Sequence, residues 1–514
     1  MREVIPWEND VLTVGGLLAM AAEQYGEKDA VRYVGKAAVE AVSYRRLFHD
    51  SRAVAAYLNR LVPGRCHAAV IGRTDYRYLT SMNGVFISGK VLVPLAPDSG
   101  VEKLALLLNN ADVEVVFYDR TQEGKLSALG PLVPNVHTWI DMSDEALYDG
   151  LFAAFDGSEP FTDLPDPDAC AAIIYTSGTT GNFKGVMLSS RALISNVWFK
   201  EMDFEGENVT LNVLPMHHIF CLSCDYLKNI KDGVTICLNV DLQNIYRNLL
   251  LFEPTVLRLV PMIIESLVKK VTILYRRHPE YTPRQAAEQV FGRNIRNIIA
   301  SGALLSPGLA HRFDAMGITI RQGYGMTETG PRISVPDGKT VCESGGRVIS
   351  ICQVRLQNGE IQVKSPSLMM GYYKNPEETA AVFTEDGWFR TGDIGEITPD
   401  NEIFIRGRIK NLIILSNGEN VSPEEIEKKY ADARLVKEIV VYGEDDGIAA
   451  EIYPDYEYAE NTGLTDVEGA VRALVEQVNL ESETTREIGK VTVRKTPFER
   501  TASGKIIRKQ VKIA

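Results

Sequence analysis

The 514-residue chain lacks any run of the roughly 18 or more apolar residues that a membrane-spanning helix needs, so none is expected. Cysteine is scarce. The seven present are scattered and odd in number, which excludes a disulfide scaffold and suits free thiols in a reducing cytoplasm. Cys221 and Cys224 form a CxxC pair, but no second pair or histidine cluster completes a zinc site, so plain buried thiols are expected. Positive charge is in deficit: 55 Lys and Arg stand against 68 Asp and Glu, a net charge of −13. That argues against non-specific nucleic-acid binding, which needs a basic surface. The segment Met1–Asp10 carries acidic residues and a proline, without the basic start and apolar run of a secretory signal. A cytoplasmic location is the expectation. Low-complexity tracts and internal repeats are also missing.

What is present reads as an ordinary globular protein, 45% hydrophobic and 24% charged. Its length exceeds one compact core, and two or three domains are expected. Ser43 can cap a helix that places Tyr44, Leu47, Phe48, Val54 and Leu58 on one face. Short apolar runs at 68–71, 91–95 and 113–118 read as buried strands between helices, and the pattern returns at 234–238, 256–260 and 295–300. These predict an α/β fold with a large N-terminal domain of layered sheets. The texture changes near residue 406, after a strand expected at 402–405. A short basic link, Gly407–Lys410, leads into a small α+β pattern. Ser422-Pro423-Glu424-Glu425 and Thr465-Asp466-Val467-Glu468 both predict capped helix starts, with a strand at 439–442 between them. The chain therefore divides into residues 1–408 and a small, mobile domain at 409–514.

The segment carrying the most chemical information is Tyr175-Thr176-Ser177-Gly178-Thr179-Thr180-Gly181-Asn182-Phe183-Lys184-Gly185, directly after the apolar run 171–174. Gly178 and Gly181 let backbone amides converge on an anion. The hydroxyls of Thr176, Ser177, Thr179 and Thr180 add donors, and Lys184 adds charge. Such a loop can hold the β- and γ-phosphates of a nucleotide, although its spacing is not that of a Walker A loop.

This segment resembles that of the adenylate-forming superfamily, which includes acyl-CoA synthetases, luciferases and the adenylation domains of peptide synthetases. The resemblance runs over nearly the whole chain and looks closest to bacterial long-chain fatty acyl-CoA ligases. One departure is Phe183, where the family's loop normally has proline. Further matches follow in the family's order. Gly323-Tyr324-Gly325-Met326-Thr327-Glu328-Thr329 resembles the nucleotide segment, which implies that Tyr324 stacks on adenine, Thr327 contacts the α-phosphate and Glu328 helps hold Mg²⁺. Thr391-Gly392-Asp393 resembles the ribose motif, with Asp393 accepting from both hydroxyls. Arg408 would also meet the ribose or phosphate, Lys410 would be the hinge, and Gly418 would line the thiol tunnel. His218 matches a position near the acyl carboxylate, with His217 beside it. Ser301-Gly302-Ala303 resembles the pocket wall beside the adenylate. Arg500-Thr501-Ala502-Ser503-Gly504-Lys505 resembles the C-terminal catalytic motif, which implies that Lys505 offsets negative charge between carboxylate and α-phosphate.

The resemblance implies a two-step acid–thiol ligase using ATP, Mg²⁺ and coenzyme A. Three alternatives stand beside it: loading of a carrier-protein phosphopantetheine, activation of an amino acid, and an inactive relative that only binds. The inactive reading predicts loss of Lys505, Glu328 or Asp393, and all three are present. Amino-acid-activating relatives usually carry an aspartate just after the segment matching 214–216, where His217 and His218 stand here. An unpaired buried ammonium is costly, so an α-amino acid is disfavoured; the segments 259–270 and 299–306 resemble those of long-chain acyl-CoA synthetases, which implies a fatty-type acid. The compact stretch 341–371, with Gly346-Arg347-Val348 in place of the usual Gly-x-Pro, points to a shortened acyl tunnel. Lys505→Ala is expected to lower adenylation by at least ~10² while leaving thioester formation from preformed acyl adenylate intact. Assaying the two half-reactions separately checks this, and near-normal adenylation would refute the assignment.

Overall fold

The computed structural model describes residues 11–158, 160–162, 166–177, 183–199, 207–301, 307–337, 344–415, 419–444, 447–482, 486–500 and 506–508. Among the described residues, two seven-stranded sheets form the body of the molecule. The first runs in spatial order Gly371–Tyr372, Phe183–Ser189, Cys170–Ser177, Val91–Leu95, His67–Ile71, Val113–Tyr118, Thr138–Asp141. It is parallel from Cys170–Ser177 onward, and Phe183–Ser189 and Gly371–Tyr372 add antiparallel at one edge. The second runs Thr319–Gln322, Asn297–Ala300, Val256–Leu259, Val209–Asn212, Thr235–Leu238, Asp29–Val34, Val39–Ser43, parallel until the last strand.

Strand alternation explains how both faces are covered. Ala68, Val70, Val115 and Phe117 point into a core shared with Ile236 and Leu238 of the second sheet and with Leu17, Val54 and Met82 of three helices. Ala69, Ile71, Val113 and Val116 point the other way, against Leu104 and Leu108. The outer face of the second sheet buries Leu257, Leu259 and Ile298 against Leu267, Phe291 and Phe313. The helix Tyr44–Leu61 starts where expected: Ser43 Oγ accepts from Arg46 N, and Tyr44, Leu47, Val54 and Leu58 are buried.

Two smaller units follow. An antiparallel sheet, Gln353–Gln357, Glu360–Lys364, Phe389–Ile397 and Ile403–Arg408, packs its Ile361, Val363 and Ile403 with Phe199, Ile333 and Ile349. The last of these strands is longer than the expected 402–405 and runs through Gly407 to Arg408, so the basic link begins inside a ladder. Beyond it, Val436–Glu444, Gly447–Pro454 and Ile488–Val493 form a three-stranded sheet, with helices Pro423–Lys428 and Val467–Leu480 over a separate core of Ile426, Val441, Ile452 and Val471. The two expected capping boxes do not form. Ser422 Oγ donates to Arg406 O at 2.8 Å and makes no cap hydrogen bond. Asp466, not Thr465, caps the second helix. Cys221 and Cys224 are buried free thiols in the π-helical segment Phe220–Leu227. No helix among the described residues is long and apolar enough to cross a membrane.

One ion pair sits wholly inside the large unit. Arg258 and Asp225 have fully buried side chains, with Nη1 and Oδ1 3.8 Å apart. Arg258 Nη1 donates to Asn229 Oδ1 at 3.0 Å, and Asn212 Nδ2 donates to Asp225 Oδ2 at 2.7 Å. Burial raises the Asp225 carboxyl above its ordinary range, and Arg258 opposes that rise. Arg258→Met removes the opposing charge and leaves the carboxylate buried alone. The variant is expected to lose about 3 kcal/mol of stability, measured as the shift in the denaturant midpoint of the large unit.

Candidate active site

Three parallel strands set the floor of the site. Leu259 lies beside Ala300, and Ala300 beside Gln322, so the chain leaves the sheet at Val260, Ser301 and Gly323 on one edge. Ser301 N donates to Leu259 O at 3.3 Å and Gly323 N to Ala300 O at 3.1 Å. Ligands of open α/β sheets bind at this carboxyl edge.

After Gly323 the chain turns sharply. Tyr324–Gly325 pairs antiparallel with Arg332–Val335. A Cβ on Gly325 would stand 1.9 Å from Pro331 O, so only glycine fits there. Thr329 Oγ1 donates to Pro331 O at 2.6 Å, and Gly330 N to Thr327 O at 3.2 Å. This knot fixes Thr327 and Glu328 in a single turn of 3₁₀-helix, Thr327–Thr329.

Asp393 forms one pole of the site. It lies in Phe389–Ile397 directly across from Arg408 in the neighbouring strand. Gly392 before it has a φ of +69°, a left-handed turn that favours glycine. Asp393 N donates to Thr391 Oγ1 at 3.1 Å. The carboxylate is 4% exposed, with Arg408 Nε 2.6 Å from Oδ1, while the Arg408 side chain is 41% exposed. Tyr324 Oη donates to Asp393 Oδ2 at 2.7 Å. Burial, then the Asp393 charge, holds the Tyr324 phenol well above its ordinary range, so it stays a donor. A carboxylate with about four acceptor positions can keep these partners and still accept from adjacent hydroxyls.

The second pole joins residues far apart in sequence. The expected phosphate loop is flanked by ladder on both sides: Thr176 pairs with Lys184 and Ser177 with Phe183 across the hairpin Cys170–Ser177/Phe183–Ser189. Tyr372 pairs with Val186 on the far side of the same strand. Tyr372 Oη donates to Glu328 Oε1 at 2.9 Å, and Lys184 Nζ lies 4.8 Å from the centre of the Tyr372 ring. Lys184 also pairs with Glu378. Tyr372 thus bridges Lys184 and Glu328, and sequence reasoning missed it. The available signal was Gly371-Tyr372-Tyr373, an aromatic pair behind a glycine at φ +141°.

The His217 and His218 rings lie 4.4 Å apart. Burial, followed by the nearby charges of His218 and Lys103, holds the His217 imidazole well below its ordinary range, hence neutral. Lys103 Nζ sits 4.9 Å from the centre of the Phe183 ring, a second cation that sequence reasoning missed. Lys410 falls in the 3₁₀ turn Ile409–Asn411, immediately after Arg408. Gly178, Thr179, Thr180, Gly181, Gly302, Ala303, Gly418 and Lys505 lie outside the described residues.

The AMP-binding enzyme profile matches residues 18–373, and the profile of the AMP-binding enzyme C-terminal domain matches 410–513. The chain belongs to the AMP-binding, adenylate-forming enzyme family. A long-chain-fatty-acid–CoA ligase of Thermus thermophilus is 26% identical over 468 residues, 84% of this chain and 83% of its own. The 4-coumarate–CoA ligase 3 of Arabidopsis thaliana is 26% identical over 474 residues, 86% and 81% of the two chains. A chloroplastic long-chain-fatty-acid–acyl-carrier-protein ligase of the same plant is 25% identical over 598 residues, 93% and 81%. Among solved structures, an anthranilate CoA ligase in complex with anthranoyl-AMP superposes with a TM-score of 0.82 at 16% identity, covering 97% of this chain and 96% of that one. ATP-bound MatB from Rhodopseudomonas palustris gives 0.79 at 23%, covering 97% and 98%. The fold of this AMP-binding enzyme is therefore that of the family.

The Asp393 pole gives a direct test. Asp393→Ala should raise KM for ATP by roughly 10- to 100-fold, the range expected for a lost hydrogen bond to a charged group. Tyr324→Phe, which keeps the carboxylate, should raise it less. Steady-state kinetics with ATP as the varied substrate, alongside thermal unfolding to exclude a folding defect, checks both.

Proposed function

We propose that this chain is an AMP-forming acid–thiol ligase that converts an aliphatic, fatty-type carboxylic acid to its acyl adenylate and then to an acyl-CoA thioester. The observation that carries the reading is the convergence of two poles on one glycine-tied turn. Tyr324 hydrogen-bonds to Asp393 at one end of the 323–330 segment, and Glu328 accepts from Tyr372 at the other, beside Lys184. An ATP laid along this segment meets hydroxyl acceptors at its ribose and a cation at its phosphates.

In the first step the substrate carboxylate attacks the α-phosphorus in line, the bond to the bridging oxygen breaks and pyrophosphate leaves. Positioning and charge neutralisation carry such a step, with little covalent work by side chains. In this reading Lys184 serves the β- and γ-phosphates, Thr327 the α-phosphate, and Lys505 offsets the charge shared by carboxylate and phosphate. A neutral His217 beside His218 suits a carboxylic acid, since it adds no ion pair that would hold the carboxylate back. Glu328 keeps a second carboxylate oxygen beyond the one bonded to Tyr372. A hard divalent ion bound through one carboxylate and phosphate oxygens fits that donor set, and magnesium there would neutralise phosphate charge. In the second step residues 409–514 turn about Lys410, Gly418 comes to the site, a thiol attacks the acyl carbonyl and AMP leaves.

The acid class rests on His217 and His218, which stand where an ammonium-pairing aspartate would be needed, and on the fatty-acid ligases among the relatives. Each buried methylene contributes about 0.8 kcal/mol, so kcat/KM should climb roughly fourfold per carbon until the tunnel is full. Acids from about four to about eighteen carbons, assayed with ATP and CoA, test this. A flat profile, or preference for an aryl or amino acid, would overturn the substrate class. Activity with a phosphopantetheinylated carrier but none with CoA would overturn the acceptor.

A further inference from the structure

The phosphate-facing lysine is not idle in this chain. Lys184 pairs with the Glu378 carboxylate while its ammonium lies over the Tyr372 ring. The placement of Glu378 is built in. Its helix, Pro376–Ala381, begins at Asn375, whose side chain accepts from Glu378 N at 3.2 Å. The helix is pinned to the strand before it, because Tyr372 N donates to Thr379 Oγ1 at 2.9 Å. That strand is in turn tied to the one carrying Lys184: Tyr373 N donates to Gly185 O at 2.7 Å and Gly371 pairs with Met187. The carboxylate and the ammonium thus sit on two segments sewn together on either side of the pair.

A carboxylate presents two oxygens to an ammonium much as a phosphate does. We propose that Glu378 is a built-in competitor for the polyphosphate: it holds Lys184 when no nucleotide is bound, must release it for the β- and γ-phosphates to enter, and recaptures it as pyrophosphate leaves. Glu378 acts through Lys184 and is a positioning residue, not a catalytic one. The exposures agree with this division of labour. The Glu378 side chain is 47% exposed and returns to solvent at little desolvation cost, whereas Lys184 is 22% exposed and stays in the site. The inference rests on the proposed role of Lys184 toward phosphate, and it predicts a gain of affinity on removing an ion pair, the reverse of what a structural role gives.

The test is equilibrium binding of ATP by calorimetry to the full chain, with no turnover. Glu378→Gln is expected to tighten ATP binding about two- to fivefold, the range for a partly exposed ion pair. The same substitution made in a Lys184→Met background is expected to change nothing. In the same calorimetry, pyrophosphate should bind the single Glu378→Gln variant more tightly than the parent chain. Weaker or unchanged ATP binding by Glu378→Gln, or an equal effect in both backgrounds, would overturn the competitor role. If the parent chain binds no ATP at all, the proposed function fails instead, and the two failures are told apart by that control.

Discussion

The pairing of Asp393 with Arg408 across two adjacent strands is the constraint on which the site depends. Asp393 is nearly inaccessible, and a carboxylate so placed needs its cation. The antiparallel register that supplies it also sets where the strand Ile403–Arg408 must end. Lys410 follows two residues later, in the turn that begins the C-terminal unit. One ladder therefore fixes the proposed ribose acceptor, its neutralising arginine and the proposed hinge. Tyr324 completes the arrangement from another sheet, so the nucleotide turn cannot drift from Asp393 without stranding a buried hydroxyl.

Much of the scaffold was legible in the sequence because it obeys local rules. Buried strands of an α/β sheet read as short continuous apolar runs, and those at 91–95 and 113–118 match the observed strands end to end. Ser43 caps its helix, its hydroxyl accepting from Arg46 N at 3.2 Å. Ser422 looked like the same signal, but its hydroxyl has a better use at Arg406 O, holding the C-terminal unit against the strand it leaves. A cap is a local preference worth about 1 kcal/mol, and one tertiary hydrogen bond is enough to redirect it. The strand through Gly407 was cut short for a related reason. Glycine and charge at 407–410 read as a linker, whereas Gly407 pairs with Ile394 in the ladder and packs where a Cβ would meet Ser422 Oγ at 2.2 Å.

The site was legible only as separate motifs. Their order and spacing identify Lys184, Glu328 and Asp393 one at a time, but nothing in a linear reading says that Tyr372 touches both Lys184 and Glu328. That contact exists because Gly371–Tyr372 adds to the edge strand carrying Lys184, a pairing across nearly two hundred residues. The contact between Lys103 and Phe183 escaped for the same reason. Phe183 stands where the family's loop normally has proline. In the fold it is also a platform for a cation from the helix Val101–Asn110, which carries positive charge toward the neutral His217.

Lys184 and Arg408 are each matched to a carboxylate, in a chain whose net charge is −13. The two matches differ in a way that decides what each can do. Asp393 is buried and Arg408 exposed, so at that pole the carboxylate is the fixed partner and the cation the adaptable one. Glu378 is exposed and Lys184 more buried, so at the other pole the carboxylate is the one able to leave. A ligand entering along the 323–330 turn must offer donors to a carboxylate at one end and acceptors to an ammonium at the other. Free phosphate satisfies only the second demand, and a nucleoside only the first. A nucleotide with an extended phosphate chain satisfies both, so under the proposed roles the opposite burial of the two ion pairs favours such a ligand over either part alone.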